Sequence, residues 1–492
     1  MAWIFGDGFD CYATMADTVA GYWDSGAPAS FTLGTGRFTG SQCLQSNASN
    51  AVLLVKSSAV NDAVHHIICA LRQTATISGT AIGMYLQLSD GATNQVCIVT
   101  RSDGAILLTS ATPAGTVLAT YTGAVSAANT WFAFEFEVVI HNTAGSFTVR
   151  KNGNPSNDFT ATSLNTRPGA NAYANKLTLG EGVNGINLQQ LDDLLWRSDA
   201  TSLAWLGDIR CYTRMPASDA SAQFARAPAT TTQGFTVSTT AGILTGTSRY
   251  SAPFTAPYDC TIGSVIGSLG TGYTGNMKCS IFASVGAGPL AVLGSATPVT
   301  NPATGNNTFT FGTPVALAKG AQYIVGFSSD TSSGNWNVTA GTTGYQSLVV
   351  PYASFPQANP TTAGSAQPVC TANLTVSSNA SLVNETLQDG TTSYVYDSTI
   401  GHADFYNIAP LSVTPATVVA VTTRGFVEKS DAGFRSGAVQ LKSGGSTAAA
   451  TTLNLATSWL WSWRVDQTDP NTSAAWTPAA VNNVTIGPTV IG

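Results

Sequence analysis

Apolar and polar positions alternate with a period of two along most of the chain. From Trp131 to Ile140 the run is Trp-Phe-Ala-Phe-Glu-Phe-Glu-Val-Val-Ile, so Phe132, Phe134, Phe136 and Val138 fall on one side and Ala133, Glu135 and Glu137 on the other. That period is the signature of a strand with one buried face. Ser146–Lys151 repeats it and runs into Asn152-Gly153, a dipeptide that favours a hairpin turn. The same signal predicts strands at 51–56, 82–89, 95–100, 104–109, 175–180, 189–197 and 206–213. It returns at 264–268, 279–284, 308–312, 322–327, 336–339 and 347–351, and again at 416–429, 437–443 and 460–467. In the last run Trp461, Trp463 and Val465 share one face. Helical patterning is confined to 13–24 and 219–226. Many short strands separated by Gly, Asn, Ser and Pro turns predict an all-β chain of tandem β-sandwich or jelly-roll domains.

The length, 492 residues, exceeds one ordinary sandwich and implies two to four domains at about 100–200 residues each. Charge divides the chain. Between 281 and 350 the only charged residues are Lys319 and Asp330. We therefore expect three parts: 1–228, a sandwich with its linker; 229–385, an inserted sandwich; and 386–492, a smaller β-domain.

Overall, 9% of residues are charged, against roughly 25% in soluble domains generally. With 43% hydrophobic residues the chain is not of the disordered class, and its polar surface is built from Ser, Thr, Asn, Gln and Gly. Such a surface repels its own copies weakly and suits a large assembly. A net charge of −6 with only 20 basic residues excludes duplex nucleic acid as the expected partner, since that affinity comes from Lys and Arg neutralising phosphates. The N-terminus lacks the basic and apolar regions of a signal peptide, and no apolar run approaches the roughly 18 residues of a membrane span, so no membrane insertion is expected.

Candidate chemistry is sparse. None of the eight cysteines lies in a C-x-x-C pair, and several sit in apolar runs where cysteine acts as a small hydrophobe. Glu135 and Glu137, two apart on one strand, point the same way, as paired acids of a glycosidase would, but no Trp-rich cleft motif flanks them and the expected reading is a solvated face opposite the Phe row. Asp192 and Asp193 are the candidate Ca²⁺ ligands, with a structural role holding a neighbouring loop as the alternative. Asp7 and Asp10 are read as loop and turn contacts. His65 and His66 are adjacent and would face opposite sides of a strand. Trp336, Tyr345, Tyr352 and Phe355 of the middle segment are the candidate glycan- or partner-binding aromatics, with core or interface packing as the alternative.

Phe5-Gly-Asp-Gly-Phe-Asp-x-Tyr12, Tyr22-Trp-Asp-Ser25, Trp131-x-x-Phe-Glu-x-x-Val138, His141-Asn-Thr-Ala-Gly145, Leu191-Asp-Asp-Leu194 and Leu206-Gly-Asp-Ile-Arg210 together resemble a recurrent class of phage structural proteins with a concanavalin A/laminin G-like N-terminal jelly roll. Thr391-Thr-Ser-Tyr-Val395, Pro415–Val421, Lys429-Ser-Asp-Ala-Gly433, Thr468-Asp-Pro470 and Ala475–Val481 fit the same class. The resemblance covers roughly 1–228 and 386–492, and 229–375 departs from it as an insertion. It implies a tail-fibre, tail-tip, collar or capsid-surface component, located in the virion, made in the host cytoplasm and released by lysis. Its implied partners are its own copies (a trimer by analogy with phage fibres), other virion proteins and a host-surface glycan. No catalytic residue and no cofactor are expected, Ca²⁺ apart. A tail-associated carbohydrate-active enzyme and a purely lectin-like module are the alternatives.

Overall fold

The computed structural model describes residues 3–27, 31–46, 52–74, 78–182, 189–234, 240–243, 248–284, 289–331, 334–345, 352–356, 363–448 and 451–492. The chain is all-β, and its strands form tandem sandwiches built from antiparallel pairings. It divides into two compact units. Met1–Met215, Glu385–Asp389 and Thr399–Gly492 form one; Pro216–Asn384 and Gly390–Ser398, inserted in sequence, form the other.

The first unit contains two facing sheets. One runs Phe159–Leu164, Gly145–Lys151, Phe132–Val139, Val64–Gln73, Gln189–Asp199, Gln42–Ser46, Phe31–Thr35, with Trp3–Asp7 also paired to Gln189–Asp199. The other runs Val52–Asp62, Ala174–Glu181, Ile82–Ser89, Asn94–Arg101, Ile106–Ser110, Val117–Tyr121. The alternation that marks these strands fills the space between them: Phe134, Phe136, Val138, Leu86, Leu88, Ile98 and Leu108 enter one core. Burial of apolar side chains at about 25 cal/mol per Å² is the main force holding the sheets together.

That core does not end with the N-terminal segment. Trp461, near the end of the chain, belongs to it, and Phe426 and Trp463 pack against it. They sit on Val421–Val427 and Leu460–Asp466, which pair with each other. The remaining C-terminal strands, Phe405–Ile408, Ser436–Ser443 and Thr485–Val490, share a sheet. Residues of Met1–Met215 and Thr399–Gly492 therefore share one hydrophobic core, and the unit boundaries fall at 215/216, 384/385, 389/390 and 398/399.

The second unit is a separate sandwich. One sheet is centred on Cys260–Thr271, flanked by Cys370–Val376 and Gly305–Leu317; the other contains Gln322–Ser329, Asn276–Ser284 and Pro289–Ser295. Phe309, Phe327, Trp336 and Leu374 lie in the core between them.

Three expectations are corrected. Residues 206–213 form no strand: the backbone turns at Gly207, whose φ is 79°, and the N–H groups of Leu206 and Gly207 donate to Glu135 and that of Cys211 to Asp193. Residues 219–226 form no helix; they contribute to the short strands Pro216–Ser221 and Ala225–Ala227. There the Asp219 carboxylate accepts from the backbone N–H of Asn379 and Ala380. In 13–24 only the 3₁₀ turn Met15–Val19 is helical. The expected strand 347–351 lies outside the described residues.

Candidate functional site

The Gln189–Asp199 strand carries the two adjacent acids. Its pairing with Val64–Gln73 slips between Asp192 opposite Ala70 and Leu195 opposite Ile68, so Asp193 and Leu194 together oppose Cys69. This bulge puts Asp193 at φ 53°, a left-handed conformation that aspartate tolerates better than most residues. It turns both carboxylates toward two covering loops. Asp192 accepts from the Arg37 backbone at 2.7 Å and from the Asp193 N–H at 2.7 Å. Asp193 accepts from the Cys211 N–H at 2.8 Å, and its other oxygen lies 3.5 Å from Arg37 Nη1. Arg37 also forks onto Asp208 through two 2.6 Å bonds. Asp10 accepts from the Gln42 N–H at 2.7 Å and from Thr213 Oγ1 at 2.9 Å.

Burial, with repulsion from Asp193 next, pushes the Asp192 carboxyl up to about 7. Burial likewise raises Asp193 to about 6, against the pull of the Cys211 N–H and of Arg37. Paired acids with raised pKa values are a known mark of catalytic sites. These two, however, are 1% and 2% exposed, so no substrate reaches them. Calcium needs six to eight oxygen ligands. The Arg37 guanidinium stands beside Asp193 where such a cation would sit, and no three His, Cys, Asp or Glu side chains gather to hold a metal among the described residues. The acids tie the 35–42 and 206–213 loops to the sheet.

Glu135 and Glu137 bracket a histidine. His66 faces Glu137 across the strand pair and is diagonal to Glu135. Its Nδ1 lies 3.0 Å from Glu135 Oε1 and its Nε2 lies 2.8 Å from Glu137 Oε2. Burial lowers the His66 pKa, but the two carboxylates outweigh it and the net shift is upward. The face is not solvated as the alternation suggested. Segment 199–211 crosses it, Trp205 covers His66 with ring centres 4.9 Å apart, and Arg150 stacks on Trp205 at 4.2 Å. Glu135 also accepts from the Leu206 and Gly207 N–H groups, and is 1% exposed. Its neighbour His65 is buried and neutral, with a pKa lowered to about 4 by burial.

The middle-segment aromatics divide. Trp336 is 1% exposed and packs 4.7 Å from Phe327, so it is a core residue with no ring face to offer a sugar. Its inward direction follows from sharing a strand face with buried Val338. Phe355 is buried with Tyr250 and Phe282. Tyr352 is partly exposed, and the Lys278 ammonium lies 4.1 Å from its ring centre. The Tyr345 side chain is outside the described residues.

The arrangement that sequence reading missed is a junction of the two ends of the chain. Asp7 accepts from the Phe9 N–H at 3.0 Å, Tyr12 Oη at 2.6 Å and Trp23 Nε1 at 2.8 Å, and pairs with Arg424 Nη1 at 3.3 Å. Arg424 also donates to Tyr12 Oη at 3.1 Å and lies 4.3 Å from the Tyr22 ring centre. Trp461 Nε1 donates to the Asp17 carbonyl at 2.8 Å, and Trp463 Nε1 to the Gly21 carbonyl at 3.1 Å. The shared face of Trp461 and Trp463 was the available signal; that it docks on residues 5–23 was not encoded in any local pattern.

No family model and no curated protein matches the chain. Similar solved structures include the catalytic domain of a glycoside hydrolase family 131 protein from Coprinopsis cinerea, at 14% identity over 41% of this chain and 96% of that one, with a TM-score of 0.28. A carbohydrate esterase from the Shiga toxin-encoding bacteriophage phi24B matches at 15% identity over 36% of this chain and 89% of its own, with a TM-score of 0.25. The lectin UEA-II, solved with galactose, matches at 9% identity over 40% and 98%, with a TM-score of 0.26. Likeness at this level says nothing of what this chain binds.

Proposed function

We propose that this chain is a non-enzymatic structural component of a bacteriophage particle, a tail, collar or capsid appendage. In this reading the first unit makes assembly contacts and the inserted sandwich meets a host-surface glycan or another virion protein. The observation that carries the non-enzymatic part is the use made of the acids. Glu135 and Asp193 are buried and bonded to backbone donors of the 206–211 segment, and buried Asp192 accepts from the Arg37 N–H, so the groups best suited to chemistry fasten loops. The virion part is supported by the sequence resemblance and by a surface with few charges to keep neighbouring copies apart. No metal is required, because Arg37 supplies the positive charge at the acid pair.

The test is made on the purified full chain. It is expected to leave a panel of bacterial surface polysaccharides uncleaved and to appear among the proteins of the purified particles of its phage. Polysaccharide cleavage that is lost in a folded Glu135→Gln variant would establish the enzyme reading in its place.

A further inference from the structure

We infer that Tyr394 and Tyr396 form a stacking platform for an uncharged pyranose glycan. This names a site for the glycan contact proposed above and rests on that reading. Both tyrosines lie on the strand Tyr394–Tyr396, which pairs with Ala225–Ala227 in a two-stranded ribbon of the second unit. Tyr394 is opposite Ala227 and Tyr396 is opposite Ala225, and residues directly opposite each other share a face. That face therefore carries two rings and two methyl groups, and the alanines are too short to cover the rings. The other face is the anchored one. Val395 packs against the cluster of Tyr258, Val376 and Leu382. Arg226, opposite Val395, donates to Asn379 Oδ1 at 2.6 Å and to the Val376 carbonyl at 3.3 Å. The same parity continues past the strand: Thr392, Tyr396 and Ser398 are exposed and Tyr394 partly so, whereas Ser393 is buried.

The two ring centres are 6.0 Å apart and the rings are tilted by 53°, so they stand side by side along the strand and do not stack on each other. Neither hydroxyl is bonded to another described residue. The platform thus combines apolar ring faces with unspent hydroxyls, and Thr392 and Ser398 add hydroxyl groups at its two ends. Tyrosine supplies such amphipathic contact area at a low cost in side-chain entropy. A pyranose is the complement, with a C–H face for the ring and a rim of hydroxyls for the polar groups. Two rings along one strand seat neighbouring sugar units of a chain. No Asp, Glu, Lys or Arg occupies a position of this face, so a charged sugar would lose water here with no counter-charge to offset it. Size argues against a protein as the occupant. A stable protein interface takes about 800 Å² and some 20–30 residues from each side, whereas this face is two rings, two alanines and the hydroxyl residues that flank them.

The full chain, applied to an array of neutral and acidic bacterial O-antigen and capsular polysaccharides, tests it. The natural chain is expected to bind neutral polysaccharides, and a Tyr394→Ala, Tyr396→Ala double variant to bind them at least ~10-fold more weakly. Tyr352→Ala, at the other partly exposed ring of the second unit, is expected to bind as the natural chain does. Ala225→Gln lays a longer side chain beside Tyr396 and leaves both rings in place; it is expected to weaken binding as well, and it decides the matter if the double variant fails to fold. Undiminished binding by a folded double variant or by Ala225→Gln, or an equal loss in Tyr352→Ala, would overturn this site and leave the glycan role standing. Binding confined to acidic polysaccharides would overturn the assignment of an uncharged ligand. A natural chain that binds none of them would overturn the site together with the glycan reading on which it rests.

Discussion

Replacing Asp7 by alanine removes one carboxylate that four groups share. The Phe9 N–H, Tyr12 Oη and Trp23 Nε1 lose an acceptor inside the protein, and Arg424 loses its counter-ion. Each stranded buried donor costs about 1–3 kcal/mol, and breaking one side of a buried ion pair costs about 3–5 kcal/mol. These terms overlap, since Arg424 keeps Tyr12 Oη and the Tyr22 ring; a net loss of at least ~4 kcal/mol is expected. At about 1.5 °C per kcal/mol for a unit of this size, the melting transition of the first unit falls by at least ~6 °C. Scanning calorimetry of the full chain reads this directly, and limited proteolysis shows whether 399–492 is released first. An Asp7→Ala, Arg424→Met double-variant cycle isolates the pair, with a coupling above ~1 kcal/mol expected. A shift below ~2 °C, or additive single effects, would refute the idea that the two ends of the chain are joined at this carboxylate.

Three further outcomes follow from the geometry. His66 has its pKa raised by Glu135 and Glu137, so its contribution to stability is complete below its unfolded value of 6.5 and is lost as pH rises through the folded value. Arg150 and Arg197 flank the same face, and His65 titrates in the opposite sense only below 6.5. Melting of the first unit between pH 6.5 and 8.5 should therefore fall with pH, and His66→Gln should flatten the slope; a rising profile would contradict it. Trp336→Ala should destabilise the second unit by about 3–5 kcal/mol in denaturant titration, whereas Tyr352→Ala, at a partly exposed ring, should cost under ~1.5 kcal/mol. Equal losses would mean that Trp336 is not a core residue. A chelator, or millimolar Ca²⁺, should leave the melting of the first unit unchanged; stabilisation by Ca²⁺ that disappears in Asp193→Ala would show a metal where Arg37 is placed.

Local alternation made much of the fold legible. Phe132, Phe134, Phe136 and Val138 enter the core together as read, because a strand puts successive side chains on opposite faces; burial itself does not alternate, since Ala133 and Glu135 on the other face are buried too. Residues 206–213 have a strand-like composition, but the backbone turns at Gly207, and Glu135 and Asp193 accept from its N–H groups. Glu135 and Glu137 looked solvent-facing because nothing near them in sequence announces that segment 199–211 will cover them. Trp336 is a binding candidate by residue type, but its parity with Val338 marks it as inward-facing. The Asp7–Arg424 junction joins residues 417 positions apart, a separation at which no periodic signal operates.

Cryo-electron microscopy of purified phage particles, if a phage encodes this chain, tests the proposed virion role most directly. Density into which this chain can be traced, repeated in several copies on the tail, collar or capsid surface, is the expected result. Particles that are complete and infective with no density for it would contradict the structural role.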